Sequence, residues 1–226
     1  MAGYRYKCVI WDWNGTLLDD MDVCVSVMNN ILKCRDLPWM DMERYRSIFG
    51  FPVKNYYREL GFDFQNESFE DVSNEFVFNY QKQSLSSCLR KDAVAVMDHI
   101  RDMGISQVIL SASQINNLEE QVRYFGIYGY FDKLLGLDHC HATSKLDIGR
   151  SWLAESGLSG DEVILVGDTL HDLETANELG CNCLLLSSGH QSRERLKDSG
   201  AHIIDSLAEV RDYLIGSSLR WENIID

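Results

Sequence analysis

The sequence lacks any apolar stretch of membrane-spanning length, and its N-terminus, MAGYRYKCVIWDW, lacks the apolar core of a secretory signal. Both absences predict a soluble, cytoplasmic chain. Positive charge is scarce as well: 21 Lys and Arg stand against 35 Asp and Glu, giving a net charge of −14. Such a surface repels phosphate backbones and anionic lipid, so neither nucleic acid nor membrane is an expected partner. A small anionic substrate is still compatible, because a metal ion or a local basic patch inverts the sign inside one cleft. No internal repeat, low-complexity tract or Pro/Ser-rich linker is present. A disulfide framework is not expected either. The seven cysteines (Cys8, Cys24, Cys34, Cys88, Cys140, Cys181 and Cys183) are odd in number and scattered, which fits reduced thiols. Cys181 and Cys183 have no second pair at zinc spacing, so packing on one side of a strand is expected of them rather than metal binding.

What is present is a chain able to bury a sizeable core, 45% hydrophobic over 226 residues. Four apolar runs are short and uninterrupted, as strands buried on both faces should be: 8–11, 108–110, 163–166 and 183–186. Ile203 and Ile204 add a last short strand. Between the runs, Ala93, Val94, Val96, Met97 and Ile100 recur at helical spacing before Gly104. Ile148, Trp152 and Leu153 do so before Gly157, and Leu173, Ala176 and Leu179 before Gly180, each glycine standing where a helix would end. Alternating buried strands and helices predict an α/β fold with a mostly parallel sheet covered on both faces. Residues 18–87 break the alternation and read as helices only, over 23–32, 42–48, 54–60 and 69–80. In the last, Phe69, Val72, Phe76 and Tyr80 form one stripe, expected to be a helix packing face. This predicts a helical cap domain (18–87) inserted into a core built from residues 1–17 and 88–226.

Asp12, Ser111 and Asp168 each stand at the carboxyl end of a predicted buried strand. In an open parallel sheet those ends converge on one crevice, where ligands bind. Lys145 opens the helix before the third strand and can reach the same crevice. Singly, each has an ordinary structural explanation, a helix cap or a solvated lysine. Together they read DWNGTLLD at residues 12–19, LSAS around Ser111, TSKLDIG around Lys145 and VGDTLHD at residues 166–172. This order and spacing resemble the haloacid dehalogenase superfamily over nearly the whole chain. The stretches GFPVKNYYRELG, VGDTLHDLETANELG and SSGHQSRERL resemble its phosphoglycolate phosphatase group.

The resemblance implies a Rossmann-like three-layer core with an inserted helical cap, and a Mg²⁺-dependent hydrolase acting on a small phosphorylated metabolite. Asp12 would attack phosphorus and form an aspartyl phosphate. Asp12 and Asp168 would offer hard oxygen ligands to Mg²⁺, with the backbone carbonyl of Asn14 as a third protein ligand. Ser111, the adjoining Ala112 and Lys145 would hold the transferring phosphoryl oxygens. Asp172 would orient Lys145 or a metal-bound water, unless it is only a helix-start carboxylate. Thr16 would tie down the nucleophile loop.

One position departs from the family pattern. Phosphatases of this kind carry a second aspartate two residues after the nucleophile, as general acid and base, whereas this chain has Asn14. An amide cannot exchange a proton near neutral pH, so turnover should be slow and Asn14→Asp should raise it. In the cap, residues 44–58 hold Arg44, Arg46, Lys54 and Arg58 and no acidic residue at all. Lys54, Arg46 and Arg58 are therefore expected to meet an anionic substrate. Two alternatives stay open. Phosphonoacetaldehyde hydrolases resemble the chain in their Asp-Trp-x-Gly-Thr start and need a cap lysine as Schiff base; Lys54 falls one residue beyond the aligned position, a rotation of about 100 degrees on a helix. The other is a phospholigand-binding or regulatory protein that no longer turns over.

Overall fold

The computed structural model describes residues 4–138 and 144–225, with side chains described as far as Ser217. Cys140, counted among the thiols above, and Thr143 of the third motif lie outside the described residues. In chain order the elements are β1 (Cys8–Trp11), β2 (Leu18–Asp19), α1 (Met21–Lys33), α2 (Met42–Ile48), α3 (Val53–Glu59), α4 (Phe69–Ser84) and β3 (Cys88–Leu89). There follow α5 (Ala93–Asp102), β4 (Ser106–Gln114), α6 (Ile115–Tyr124), β5 (Lys133–Leu137), α7 (Lys145–Ser156) and β6 (Val163–Gly167). The chain closes with α8 (Leu170–Leu179), β7 (Asn182–Leu186), α9 (Arg193–Leu196), β8 (His202–Ile204) and α10 (Ala208–Ile225).

Six strands form one parallel sheet in the order β5-β4-β1-β6-β7-β8. The period-2 alternation of strands sorts their side chains between two apolar layers. Val9, Trp11, Ile109, Ile164, Val166, Leu184 and Leu186 pack with α5, α6 and α10. Cys8, Ile10, Val108, Leu110, Val163 and Leu165 pack with α7 and α8 on the other face. The expected three-layer α/β core is what forms. The first strand, β1, lies at the centre between β4 and β6, so the carboxyl ends of all three open onto the same edge.

Residues 20–85 form a separate helical layer with its own apolar cluster, including Val27, Met28, Leu32, Tyr45, Leu60 and Val72. The helices start where the side chains permit: Asp41 accepts from the Arg44 amide to cap α2, and Ser68 accepts from the Asp71 amide to cap α4. The antiparallel pair β2–β3, with Leu18 opposite Leu89, brings together the two chain ends of this insertion. Several elements differ from expectation, among them the short β2, β3 and α9 and the closing α10, which the apolar runs did not mark. Strand β4 runs on to Gln114, past the apolar run, and β5 and α6 were not foreseen. Strand β5 (KLLGL) is an edge strand with one well-buried residue, and α6 buries Leu118, Gln121 and Val122 only, so neither has a strong apolar signal. The described cysteines are all unpaired, and Cys181 and Cys183 pack against the α7–α8 layer as expected. Among the described residues no helix is long and apolar enough to cross a membrane.

Candidate active site

Strand β1 is invariantly buried up to Trp11, and the next residue, Asp12, emerges at the strand end only 8% exposed. Its amide continues the sheet by donating to Val166 O at 2.8 Å, which fixes the carboxyl over the edge. The turn that follows reverses at Gly15 (φ +76°), where a Cβ would collide with the Asp168 carboxylate and the His190 ring. Thr16, fully buried, donates one hydroxyl proton shared between Asp12 Oδ2 at 3.3 Å and Asp168 Oδ1 at 3.1 Å. Lys145 is the first residue of α7, whose start is fixed by a Ser144–Asp147 capping box. Its ammonium donates to Asp12 Oδ1 at 2.5 Å and to Asp172 Oδ1 at 2.6 Å. Asp172 does both things considered for it. Its Oδ2 accepts from Thr169 Oγ1 at 2.7 Å in the α8 capping box, while its Oδ1 holds Lys145. Ser111 is buried in β4 where its pairing with β5 shifts register, its Oγ accepting from the Ser113 amide at 3.0 Å, and exposed Ala112 stands beside it on the cavity wall. Asp12, Ala112, Ser111, Lys145, Asp168 and Asp172 thus line one cavity of about 530 Å³.

The charge in this floor is unbalanced. Asp12, Asp168 and Asp172 place carboxylate oxygens within 4.8 Å of one another, all buried. Burial, only partly opposed by Lys145 and augmented by the other two carboxylates, pushes Asp12 above the usual range. Burial likewise pushes Asp168 up, against the pull of His190. Burial would lower Lys145, but Asp12 and Asp172 outweigh it and hold the ammonium protonated. Three buried carboxylates against one lysine fit a hard divalent cation in their donor chemistry and in their excess negative charge. The cluster is the part of the site that could hold a metal.

A second polar group, not foreseen in the sequence, joins the floor to the cap. Asp20, the residue before α1, is buried and receives the Asn14 amide at 2.8 Å, the Gly15 amide at 3.0 Å and the Tyr80 hydroxyl at 2.6 Å. His190 Nε2 lies 3.3 Å from Asp20 Oδ1, and its Nδ1 meets the Tyr45 hydroxyl at 2.7 Å. Burial would raise Asp20, yet His190 with Tyr80 and Asn14 lowers it to about 2. Burial would lower His190, yet Asp20 followed by Asp168 raises it to about 9. A buried ion pair therefore bridges the β7–α9 loop and the first cap helix. Asn14 is locked within it: Nδ2 donates to Asp20 and Tyr80, and Oδ1 accepts from Ser113 Oγ at 2.9 Å. The available signals were the Asp19-Asp20 pair and a lone histidine in SSGHQSRERL, neither specific.

The cap cations are not where the charge pattern put them. Val53 lines the cavity, and Lys54, one residue further round α3, lies instead with its ammonium 5.7 Å and 5.6 Å from the Phe64 and Phe69 ring centroids. Arg46 points at the core rather than into the cavity, donating to Gly189 O at 2.9 Å and Ser187 O at 2.5 Å. It fastens the cap to the loop that carries His190. Arg58 is exposed and reaches only Asn55 Oδ1 at 3.3 Å, and Arg44 donates to Glu59 O at 3.2 Å. Lys145 is the only lysine or arginine lining the cavity among the described residues. The α4 stripe also does more than pack: Val72 is in the cap core, but Phe69, Phe76 and Tyr80 face the cavity as well.

The haloacid dehalogenase-like hydrolase family model matches residues 9–186. A probable phosphatase, IndB, of Dickeya dadantii is 23% identical over 89% of this chain and 90% of its own length. A phosphoglycolate phosphatase of Rhodobacter capsulatus is 22% identical over 81% of this chain and 85% of its own. Among solved structures, a haloacid dehalogenase-like hydrolase from Streptococcus pneumoniae superposes with a TM-score of 0.80 at 18% identity, covering 92% of this chain and 98% of that one. A predicted phosphatase from Clostridium acetobutylicum gives 0.77 at 21% identity, covering 93% and 99%. With the strand-end carboxylates, the lysine between them and the inserted helical cap in place, the chain belongs to the haloacid dehalogenase-like hydrolase family.

Proposed function

We propose that the protein is a Mg²⁺-dependent phosphatase that hydrolyses a small phosphorylated metabolite through a phosphoenzyme on Asp12. The observation that carries this reading is the convergence of Asp12, Lys145, Asp168 and Asp172 in a cavity also lined by cap residues, with Lys145 bonded to both Asp12 and Asp172. A binding module has no use for a carboxylate aimed along the strand axis into the cavity and held there by a lysine and a threonine. The phosphatase names of the relatives from Dickeya and Rhodobacter agree with it.

In this account an Asp12 oxygen bonds to phosphorus as the ester P–O bond breaks and its electron pair leaves with the alcohol oxygen. Lys145 and the hydroxyl of Ser111 hold the equatorial oxygens, whose charge grows in the transition state. Asp172 keeps Lys145 aimed, and Thr16 keeps Asp12 from rotating. Asp12 and Asp168, with the Asn14 carbonyl, would hold Mg²⁺, which supplies charge neutralisation at the phosphoryl group. Water then attacks the acyl phosphate, releasing phosphate and restoring the carboxylate. The helical cap, residues 18–87 in this division of the chain, excludes bulk water and contacts the alcohol portion.

A phosphonoacetaldehyde-type reaction loses support, because Lys54 lies over Phe64 and Phe69 and, among the described residues, no cap lysine lines the cavity. Phosphate release from a panel of monoesters, with and without chelator and for Asp12→Asn, tests the proposal. Release that survives both treatments would refute it.

A further inference from the structure

The wall that faces the phosphoryl site is unusual for a receptor of charged metabolites. Phe49, Phe51, Val53, Phe69, Phe76 and Val77 line it, and its polar members Ser73, Gln81 and Asn117 are uncharged. Lys145 is the single lysine or arginine in the cavity among the described residues, and Asp12 and Asp172 already occupy it. A carboxylate or second phosphate on the substrate would enter a cavity lined by Asp12, Asp20, Asp168 and Asp172, whose buried imidazolium, His190, is already paired with Asp20. An apolar group loses nothing there and gains burial. At the mouth Phe51, 44% exposed, stacks on His171 of α8 with centroids 4.6 Å apart, so a flat ring can continue an existing stack.

A second observation points the same way. Asn14 cannot protonate a departing oxygen, and both ends of its amide are engaged by Asp20, Tyr80 and Ser113. A leaving group that departs as the anion needs no such proton, and a phenol, with a pKa of about 10 as in tyrosine, leaves far more readily than an alkyl alcohol.

We propose that this site, read as a phosphatase site as above, takes phosphate monoesters of a planar, uncharged aromatic alcohol rather than of a carboxylated or multiply charged one. Asp12 bonds to phosphorus, the P–O(aryl) bond breaks, and the electron pair leaves on the phenolic oxygen, which takes its proton from water. A second water attacks phosphorus, the P–O(Asp12) bond breaks, and inorganic phosphate departs with the proton of that water.

The test measures kcat/KM of the full chain with Mg²⁺ on 2-naphthyl phosphate, phenyl phosphate, phosphoglycolate, glycerol 3-phosphate and a nucleoside 5′-monophosphate. Naphthyl phosphate should exceed phosphoglycolate by on the order of 100-fold and phenyl phosphate by roughly tenfold, as burial of one more ring requires. Val77 lines the cavity yet is 42% exposed, so Val77→Lys should fold normally, as a melting curve will check. It should narrow the naphthyl-to-phosphoglycolate ratio at least about tenfold. Equal or better kcat/KM on phosphoglycolate, glycerol phosphate or the nucleotide, or a ratio untouched by Val77→Lys, would overturn the assignment. If no ester is hydrolysed, calorimetry with 1-naphthylmethylphosphonate and phosphonoacetate separates the two readings. Preference for the naphthyl compound keeps the ligand class and removes the phosphatase reading, whereas no preference overturns the class as well.

Discussion

Replacing Asn14 by aspartate looks, from the sequence, like restoration of a missing acid. The structure makes it a conflict. Asn14 Nδ2 donates to Asp20 Oδ2 at 2.8 Å, so Asn14→Asp would set two buried carboxyls at that distance. Two full charges there would repel by about 6 kcal/mol at an effective dielectric of 20, so the pair takes up one proton and shares it. Holding a proton on a carboxyl of ordinary pKa near 3.9 costs about 4 kcal/mol at pH 7 but only about 1.5 kcal/mol at pH 5. The smaller of repulsion and proton uptake sets the cost, so the deficit is bounded by these values. The sign follows from linkage: the folded variant binds more protons than its unfolded chain, so its stability relative to the parent falls as pH rises. Urea unfolding of both proteins at pH 5 and pH 7 should show the deficit growing by roughly 2–3 kcal/mol. A deficit that is absent, or the same at both pH values, would refute the argument. The gain in turnover expected of an added acid should also be small, since its proton is held by Asp20.

Other outcomes follow from the same geometry. Lys145→Met leaves Asp12 and Asp172 buried without their cation, so it should abolish phosphate release and, in metal-free buffer, lower stability by about 3–5 kcal/mol in urea unfolding. Lys54→Ala should leave KM nearly unchanged for every substrate and cost only about 0.5–1 kcal/mol, because its ammonium does not line the cavity and lies instead against the Phe64 and Phe69 rings. His190 is raised from 6.5 to about 9 and Asp20 is lowered from 3.8 to about 2, so their pair stabilises fully between about pH 4 and pH 6.5. The His190 part is lost as pH rises through 9 and the Asp20 part as pH falls through 2. His190→Asn should therefore flatten the alkaline fall in stability, measured as melting temperature from pH 6 to pH 10.

Much of this was legible in the sequence where burial and chain direction act alone. Runs such as Val163–Val166 can only be central strands, and what stands at their ends follows from sheet geometry, so Asp12, Ser111, Lys145 and Asp168 were found in one crevice. The break in alternation over residues 18–87 marked the cap, and the resemblance to the family added the metal. Side-chain direction within the cap was not legible. Charge counting treated Arg46, Lys54 and Arg58 as one patch, but a helix turns successive residues by about 100 degrees, and only packing decides which one faces inward. Val53 faces the cavity and Lys54 does not. Asp20, His190, Tyr45 and Tyr80 escaped for a different reason: they come from four distant segments, and their joint meaning exists only once the cap sits on the core.

The central claim is that Asp12 is the nucleophile, and covalent trapping tests it most directly. The chain is mixed with Mg²⁺ and 2-naphthyl phosphate, quenched in acid within the first turnover and digested for mass spectrometry. Because Asn14 cannot activate the water that clears the intermediate, naphthol should appear in a burst, and the peptide containing Asp12 should carry one phosphoryl group. Asp12→Asn should show neither burst nor label. Steady phosphate release with no label on Asp12, or with label on another residue, would contradict the account.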